Sequence, residues 1–264
     1  MELRAAHVLV TGASRGIGRG LAERFADAGA RVSLVARSEG PLAELAERLG
    51  GHAHRADLTD AETRWELVAR VEERGGPLDV LVNNAGVDHT GALVDLSAED
   101  LERVYVLNAL APAELARQAL PGMIARRRGH IVNVSSLAGV AALPGMAAYS
   151  ATKAALTHLT TGLRADLRGL PIGTTLVEAG LIDQTEMTDS VLSYGPTRDA
   201  FRRLYRLGVL ADTPVDVLCD EVVAAVAAGR RHVRLPRRAA SFTILPESIR
   251  RAVALLLTGV RPRA

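Results

Sequence analysis

Of the 32 basic residues in the chain, Lys153 is the only lysine. Arginine serves as a surface cation almost anywhere, so a solitary lysine points to a position that needs a compact ammonium rather than a planar guanidinium. Lys153 follows Tyr149 by four residues, one helical turn, which puts both side chains on the same helix face. A phenol titrates near ~10 in water, and an adjacent cation favours its phenolate, which makes tyrosine a usable acid or base near neutrality. The pair therefore suits proton transfer. A second motif suits phosphate. TGASRGIG at 11–18 follows an apolar run and opens a helical pattern, and a glycine-rich turn there supplies close backbone approach, free N–H groups and the positive end of a helix dipole to a dinucleotide pyrophosphate. Its G-x-x-x-G-x-G spacing, set by Gly12, Gly16 and Gly18, differs from the commoner G-x-G-x-x-G.

The elements that must position these residues are short apolar runs alternating with longer amphipathic stretches, a pattern of successive βαβ units and a parallel sheet. Strands are predicted near His7–Thr11, Arg31–Ala36, His52–Ala56, Asp79–Val82, His130–Ser135 and Ile172–Glu178. Helical stretches lie between them at Gly18–Ala28, Pro41–Leu49, Ala61–Glu73, Glu99–Leu120 and Ala147–Leu167, each long enough to cross over a sheet. The expected fold is α/β: one Rossmann-fold catalytic domain over 1–264, a doubly wound parallel sheet with helices on both faces. Residues 179–213 read as a loosely patterned substrate lid with a helical piece at Arg198–Leu207. Pro214–Ala228 reads as another helix, followed by a short apolar run at His232–Leu235.

With 48% hydrophobic residues and 264 positions the chain can bury a sizeable core as one domain. A net charge of +2 lacks the basic excess that drives nucleic-acid binding. The single cysteine, Cys219, allows no internal disulfide, and no Cys/His spacing offers a metal site, so a reducing, cytoplasmic setting is expected and no metal. The opening apolar run is too short for a secretory core or a membrane span. The charge is uneven: 230–264 hold nine arginines against one acid, Glu247. This basic and apolar extension, with a predicted helix from Pro246 to Gly259, suggests core packing, a cover over an apolar substrate site, or contact with an acyl carrier or an anionic membrane surface.

Taken in order, TGASRGIG at 11–18, Asp57 with Leu58, NNAG at 83–86, Asn108, Ser136 and YSATK at 149–153 resemble the short-chain dehydrogenase/reductase family over about residues 5 to 230. The resemblance implies an oxidoreductase that interconverts a ketone or aldehyde with its alcohol by hydride transfer, and a homo-oligomer. It implies a catalytic set of Asn108, Ser136, Tyr149 and Lys153. Tyr149 is the general acid/base; Ser136 donates to the substrate oxygen; Lys153 also binds the nicotinamide ribose; and Asn108 holds a water relay to Lys153. Ser135 is the neighbouring rival of Ser136, but the family's thirteen-residue interval to Tyr149 favours Ser136. The cofactor would lie against Gly12, Ser14, Arg15, Gly16, Ile17 and Gly18, then Arg37, Asp57 and Leu58, then Asn84, Ala85 and Gly86, with Ile182 and Thr185 beyond the sixth strand. Asn83 serves the central sheet.

An acid at the end of the second strand would grip the ribose hydroxyls of NAD; here Ala36 is followed by Arg37. Arg37 and Arg15, converging, would suit the 2′-phosphate, so NADP(H) is expected over NAD(H). Where the family carries Pro-Gly, this chain has Ala179-Gly180, and Thr185 sits one place late, so either Gln184 or Thr185 meets the cofactor. A cofactor-binding sensor or scaffold is the competing reading, but it needs no proton-transfer residue. An isomerase or dehydratase on the same scaffold would show no net cofactor turnover.

Overall fold

The structure, a computed structural model, describes residues 1–183 and 185–238. Seven parallel strands form one sheet in the order β3-β2-β1-β4-β5-β6-β7. They are β1 (His7–Thr11), β2 (Arg31–Ala36), β3 (His52–Arg55), β4 (Val80–Asn83), β5 (Gly129–Ser136), β6 (Ile172–Ala179) and β7 (His232–Leu235). The last of these, read from sequence only as an apolar run, pairs in parallel with β6 from Leu176↔His232 to Ala179↔Leu235.

Strand alternation sends successive side chains to opposite faces. Val8, Val10, Val80, Val82, Val132 and Val134 pack on one face against α1 (Gly16–Asp27), α2 (Glu39–Leu49) and α9 (Val215–Ala228). Leu9, Leu81 and Ile131 point the other way, to α3 (Ala61–Gly75) and α5 (Ala111–Ala125). On that second face α6 (Ala147–Asp166) is fixed by Asn133, whose Nδ2 donates to Thr160 Oγ1 at 2.8 Å. Both faces of the sheet are thus covered, which is why strands such as β1 are buried at every position. Each fully buried Leu or Val contributes about 1.5–3 kcal/mol. Cys219 lies buried between α9 and α1, its thiol 3.7 Å from the Ile17 carbonyl.

Two stretches differ from the sequence expectation. The predicted helix Glu99–Leu120 is three pieces: α4 (Ala98–Tyr105), a π-helical turn at Val106–Leu110, and α5. Pro112 has no N–H to return to the Asn108 carbonyl, so the hydrogen-bond register shifts there. The stretch 179–213 is more helical than its patterning suggests, folding into α7 (Glu186–Ser193) and α8 (Gly195–Arg206). Thr185 caps α7 through Thr188 N, and a proline stands in the first turn of α8. The predicted helix from Pro246 to Gly259 lies outside the described residues, as does Gln184.

Candidate active site

The strand order reverses between β1 and β4, and in open α/β sheets ligands sit in the crevice beyond that switch point. A cleft of about 430 Å³ occupies this place. Beneath it, Thr11 and Asn84 hold two strand ends together. Thr11 Oγ1 donates to Val82 O at 3.2 Å and accepts from Asn84 N and Ala85 N, both at 3.0 Å. Asn84 Nδ2 in turn donates to Thr11 O at 2.9 Å and Gly12 O at 3.3 Å. The two strand ends are therefore laced together, and the glycines follow from that closeness. Gly12 has φ +66°, and a Cβ on it would stand 2.9 Å from Ala85 Cα. A Cβ on Gly18 would stand 2.1 Å from Gly12 O. The N-cap residue Arg15 makes no side-chain cap to α1, and a helix start left so can take an anionic group.

At the far end of β2, Arg37 and Ser38 line the cleft beside Asp57 and Leu58. Asp57 Oδ1 accepts from Thr59 N at 2.9 Å and from Thr59 Oγ1 at 2.8 Å. Burial opposes its ionisation, but the Thr59 hydrogen bonds and the Arg37 and Arg103 charges outweigh it and hold its carboxyl below the usual range. Arg15 does not turn to Arg37. Its guanidinium pairs across the cleft mouth with Glu186 in the first turn of α7, since an exposed acid stands opposite and is the nearer Coulombic partner.

At the inner end, β5 delivers Ser136 and α6 delivers Tyr149 and Lys153. Ser136 Oγ donates to Ala179 O at 3.3 Å and accepts from Ala138 N at 3.1 Å. Ser135, the rival, is committed to Lys153 O at 2.9 Å and Thr157 Oγ1 at 2.8 Å. Tyr149 and Lys153 are 5% and 4% exposed, and the ammonium lies 5.7 Å from the phenol ring centre. Burial pushes the Tyr149 hydroxyl up to about 12; the nearby Ser136 hydroxyl works the other way, and the Asp88 charge adds to the rise. Burial likewise brings Lys153 down to about 8. Desolvation decides the direction, and Tyr149 holds its proton at neutral pH.

Among the described residues the partner of Lys153 Nζ is Val134 O, at 2.9 Å. An ammonium has three donors, so two remain for ligand hydroxyls. The uncapped helix, the guanidinium of Arg37 and this ammonium, spaced along one cleft, fit a dinucleotide.

All the predicted cofactor residues and Ser136, Tyr149 and Lys153 line this cleft. Asn108 does not. It is fully buried in the π-helical turn, where its Oδ1 accepts from Val87 N at 2.9 Å and its Nδ2 donates to Val87 O at 2.8 Å and Thr152 Oγ1 at 3.1 Å. It thus holds the backbone beyond Gly86 against α6. Asn83 ties β4 to β5 through Asn133 at 2.9 Å. Ile182 bridges to Thr213, and its carbonyl accepts from Thr185 Oγ1 and Thr188 Oγ1 at 3.1 and 2.7 Å.

Sequence reasoning missed Ser38 and the apolar half of the cleft, where Leu143, Met146, Met187, Val191, Phe201 and Leu204 belong to one apolar cluster with Tyr149. The i,i+4 pair Met187/Val191 and the i,i+3 pair Phe201/Leu204 carried a helical signal within 179–213.

The family model for short chain dehydrogenase matches residues 6–194. Ketoacyl reductase HetN of Nostoc sp. is 36% identical over 186 residues, which make up 69% of this chain and 65% of that protein. A short chain dehydrogenase of Pseudocercospora fijiensis is 35% identical over 190 residues, 69% of this chain and 61% of that protein. The chain thus spans less than two thirds of either relative. Among solved structures, a short chain dehydrogenase/reductase from Burkholderia phymatum in complex with NAD superposes with TM-score 0.79 at 27% identity, covering 96% of each chain. A metagenomic short-chain oxidoreductase in complex with NADP gives 0.70 at 32% identity, covering 89% of this chain and 97% of that one.

Proposed function

The chain belongs to the short chain dehydrogenase family, and from that premise we propose that it is an NADP(H)-dependent oxidoreductase interconverting an apolar ketone or aldehyde with its alcohol. The observation that carries this reading is the meeting of Ser136 with the buried Tyr149 and Lys153 in one cleft, beside an apolar wall.

A bound nicotinamide supplies the hydride, or takes it in the reverse direction. Ser136 orients the carbonyl oxygen, and Tyr149, protonated at neutral pH, gives its proton to that oxygen as the carbon is reduced. Lys153 would hold ribose hydroxyls with its two remaining donors, and its ammonium lies 5.7 Å from the ring of the phenol that must carry transient negative charge. The apolar residues around Tyr149 keep water from the reacting atoms. Arg37 and the neighbouring Ser38 hydroxyl support NADP(H) over NAD(H), since no acid stands at the end of β2. Exposed Leu101, Tyr105 and Leu110 along α4 and the π-helical turn support self-association. A reducing, cytoplasmic setting goes with the reading. No helix among the described residues is long and apolar enough to cross a membrane.

The test is NADPH oxidation against a panel of aldehydes and ketones, with Tyr149→Phe alongside. Tyr149→Phe should lower turnover roughly 1,000-fold and leave NADPH binding intact. Binding without turnover by the wild type would favour a sensor or scaffold, and Tyr149→Phe turnover near the wild-type rate would remove Tyr149 as the acid.

A further inference from the structure

Tyr149 directs its hydroxyl at a group that is not a substrate. Oη donates to the Met187 thioether, with Sδ at 3.9 Å. A carbonyl oxygen that takes this proton must lie at about 2.6–3.2 Å from Oη, so the O–H turns from the sulfur to meet it and the thioether stands beside the bound substrate. A substituent of the reacting carbon that points to the α7 side therefore competes with Met187 for room.

The backbone of α7 is tied on both sides of Met187, more by its first turn than by an exposed ion pair. On one side of Met187, Glu186 is paired with Arg15 of the glycine turn. On the other, Thr188 Oγ1 donates to Ile182 O at 2.7 Å, and Thr185 caps the same turn. What can move is the side chain, unbranched and turning about three bonds. It packs against the apolar cluster that includes Leu137, Met146, Leu181 and Val191. The space beside the reacting carbon on the α7 side is then what a swung methionine leaves.

Resting on the oxidoreductase reading above, we propose that Met187 is the specificity-determining residue at the reacting carbon. It admits carbonyls with one slim substituent, that is aldehydes and methyl ketones, and excludes ketones branched on the side that faces α7.

The experiment compares methyl hexyl ketone with isopropyl hexyl ketone, following NADPH oxidation by the wild type, Met187→Ala, Met187→Leu and Met187→Ile, with NADPH affinity measured for each. The wild type should prefer the methyl ketone. Met187→Ala should shift the kcat/KM ratio toward the branched ketone by about 10-fold or more, the scale of one or two methylenes in an apolar pocket. Met187→Leu, similar in volume and unbranched at Cβ, should keep the wild-type ratio. Met187→Ile, stiff at its first torsion, should lose methyl ketone turnover by about 10-fold while NADPH affinity holds. An unchanged ratio in Met187→Ala, or Met187→Ile indistinguishable from wild type, would overturn the gate alone. Absence of turnover of both ketones by the wild type would overturn the oxidoreductase reading and the gate with it.

Discussion

Lys153 should be a residue that the fold would be more stable without. It is 4% exposed, and burial brings its ammonium from the ordinary 10.5 to about 8. At about 1.4 kcal/mol per pH unit, holding that charge in the interior costs on the order of 3 kcal/mol at neutral pH. Because the folded-state value lies below the unfolded one, the full cost applies below pH 8, shrinks as pH rises from about 8 to 10.5, and vanishes above. Met, of similar length and neutral, removes the charge. It also loses the hydrogen bond to Val134 O, which offsets about 1 kcal/mol of the gain. Lys153→Met should therefore be more stable than wild type by about 2 kcal/mol at pH 7, and the gain should fade by pH 10. Urea unfolding of both proteins at the two pH values measures this, and NADPH-linked turnover of Lys153→Met should be lost in parallel. A variant less stable than wild type at pH 7, or a gain that does not change with pH, would refute the reasoning, because the ammonium would then be well solvated or well paired.

Arg37→Asp should weaken NADPH binding by about 100-fold or more and NADH binding by less than about 3-fold, since a carboxylate repels only the added phosphate; equal losses, read by fluorescence titration, would mean Arg37 acts on the fold. His130 is 2% exposed, its Nε2 is 2.8 Å from Thr175 Oγ1, and burial lowers it from 6.5 to about 4. The unfolded chain then takes up this proton first as pH falls, so stability present above pH 6.5 is lost between about 6.5 and 4, by on the order of 3 kcal/mol. His130→Gln should flatten that part of the stability profile, and a profile parallel to wild type would show that other groups govern acid unfolding.

What the sequence made legible was local. The glycine turn, NNAG and the Tyr149/Lys153 pair each depend on a few residues in a row, so their spacing carries their geometry. Strands such as β1, β2 and β4 were readable as short apolar runs because both faces of the sheet are buried there. β7 was harder, since His232 and Arg234 break its apolar run at the exposed edge. The π-helical turn was not readable, because one shifted register leaves the apolar spacing of 99–120 almost unchanged. Interactions across great sequence distance were also hidden: Arg15 meets Glu186, 171 residues away, and no rule of spacing brings those two together. The convergence of Arg15 on Arg37 was reasoned from an open turn, whereas α7 stands close enough to draw Arg15 aside. For Tyr149 the pairing with lysine was legible but its depth was not, and depth decides which way the phenol titrates.

The lacing of Thr11 to Asn84 has a consequence for how such a protein can change over generations. It makes the ends of β1 and β4 a single stiff piece, formed by residues that precede most of the apolar wall in the chain. That wall is contributed mainly by 137–146 and by 181–210, segments that join the sheet only at its rim. Substitutions there can remodel what is recognised without loosening the knot that seats the nucleotide. The architecture thus separates an inheritable grip from an editable palate, so that new substrate tastes can be explored one side chain at a time while the shared redox partner stays the same.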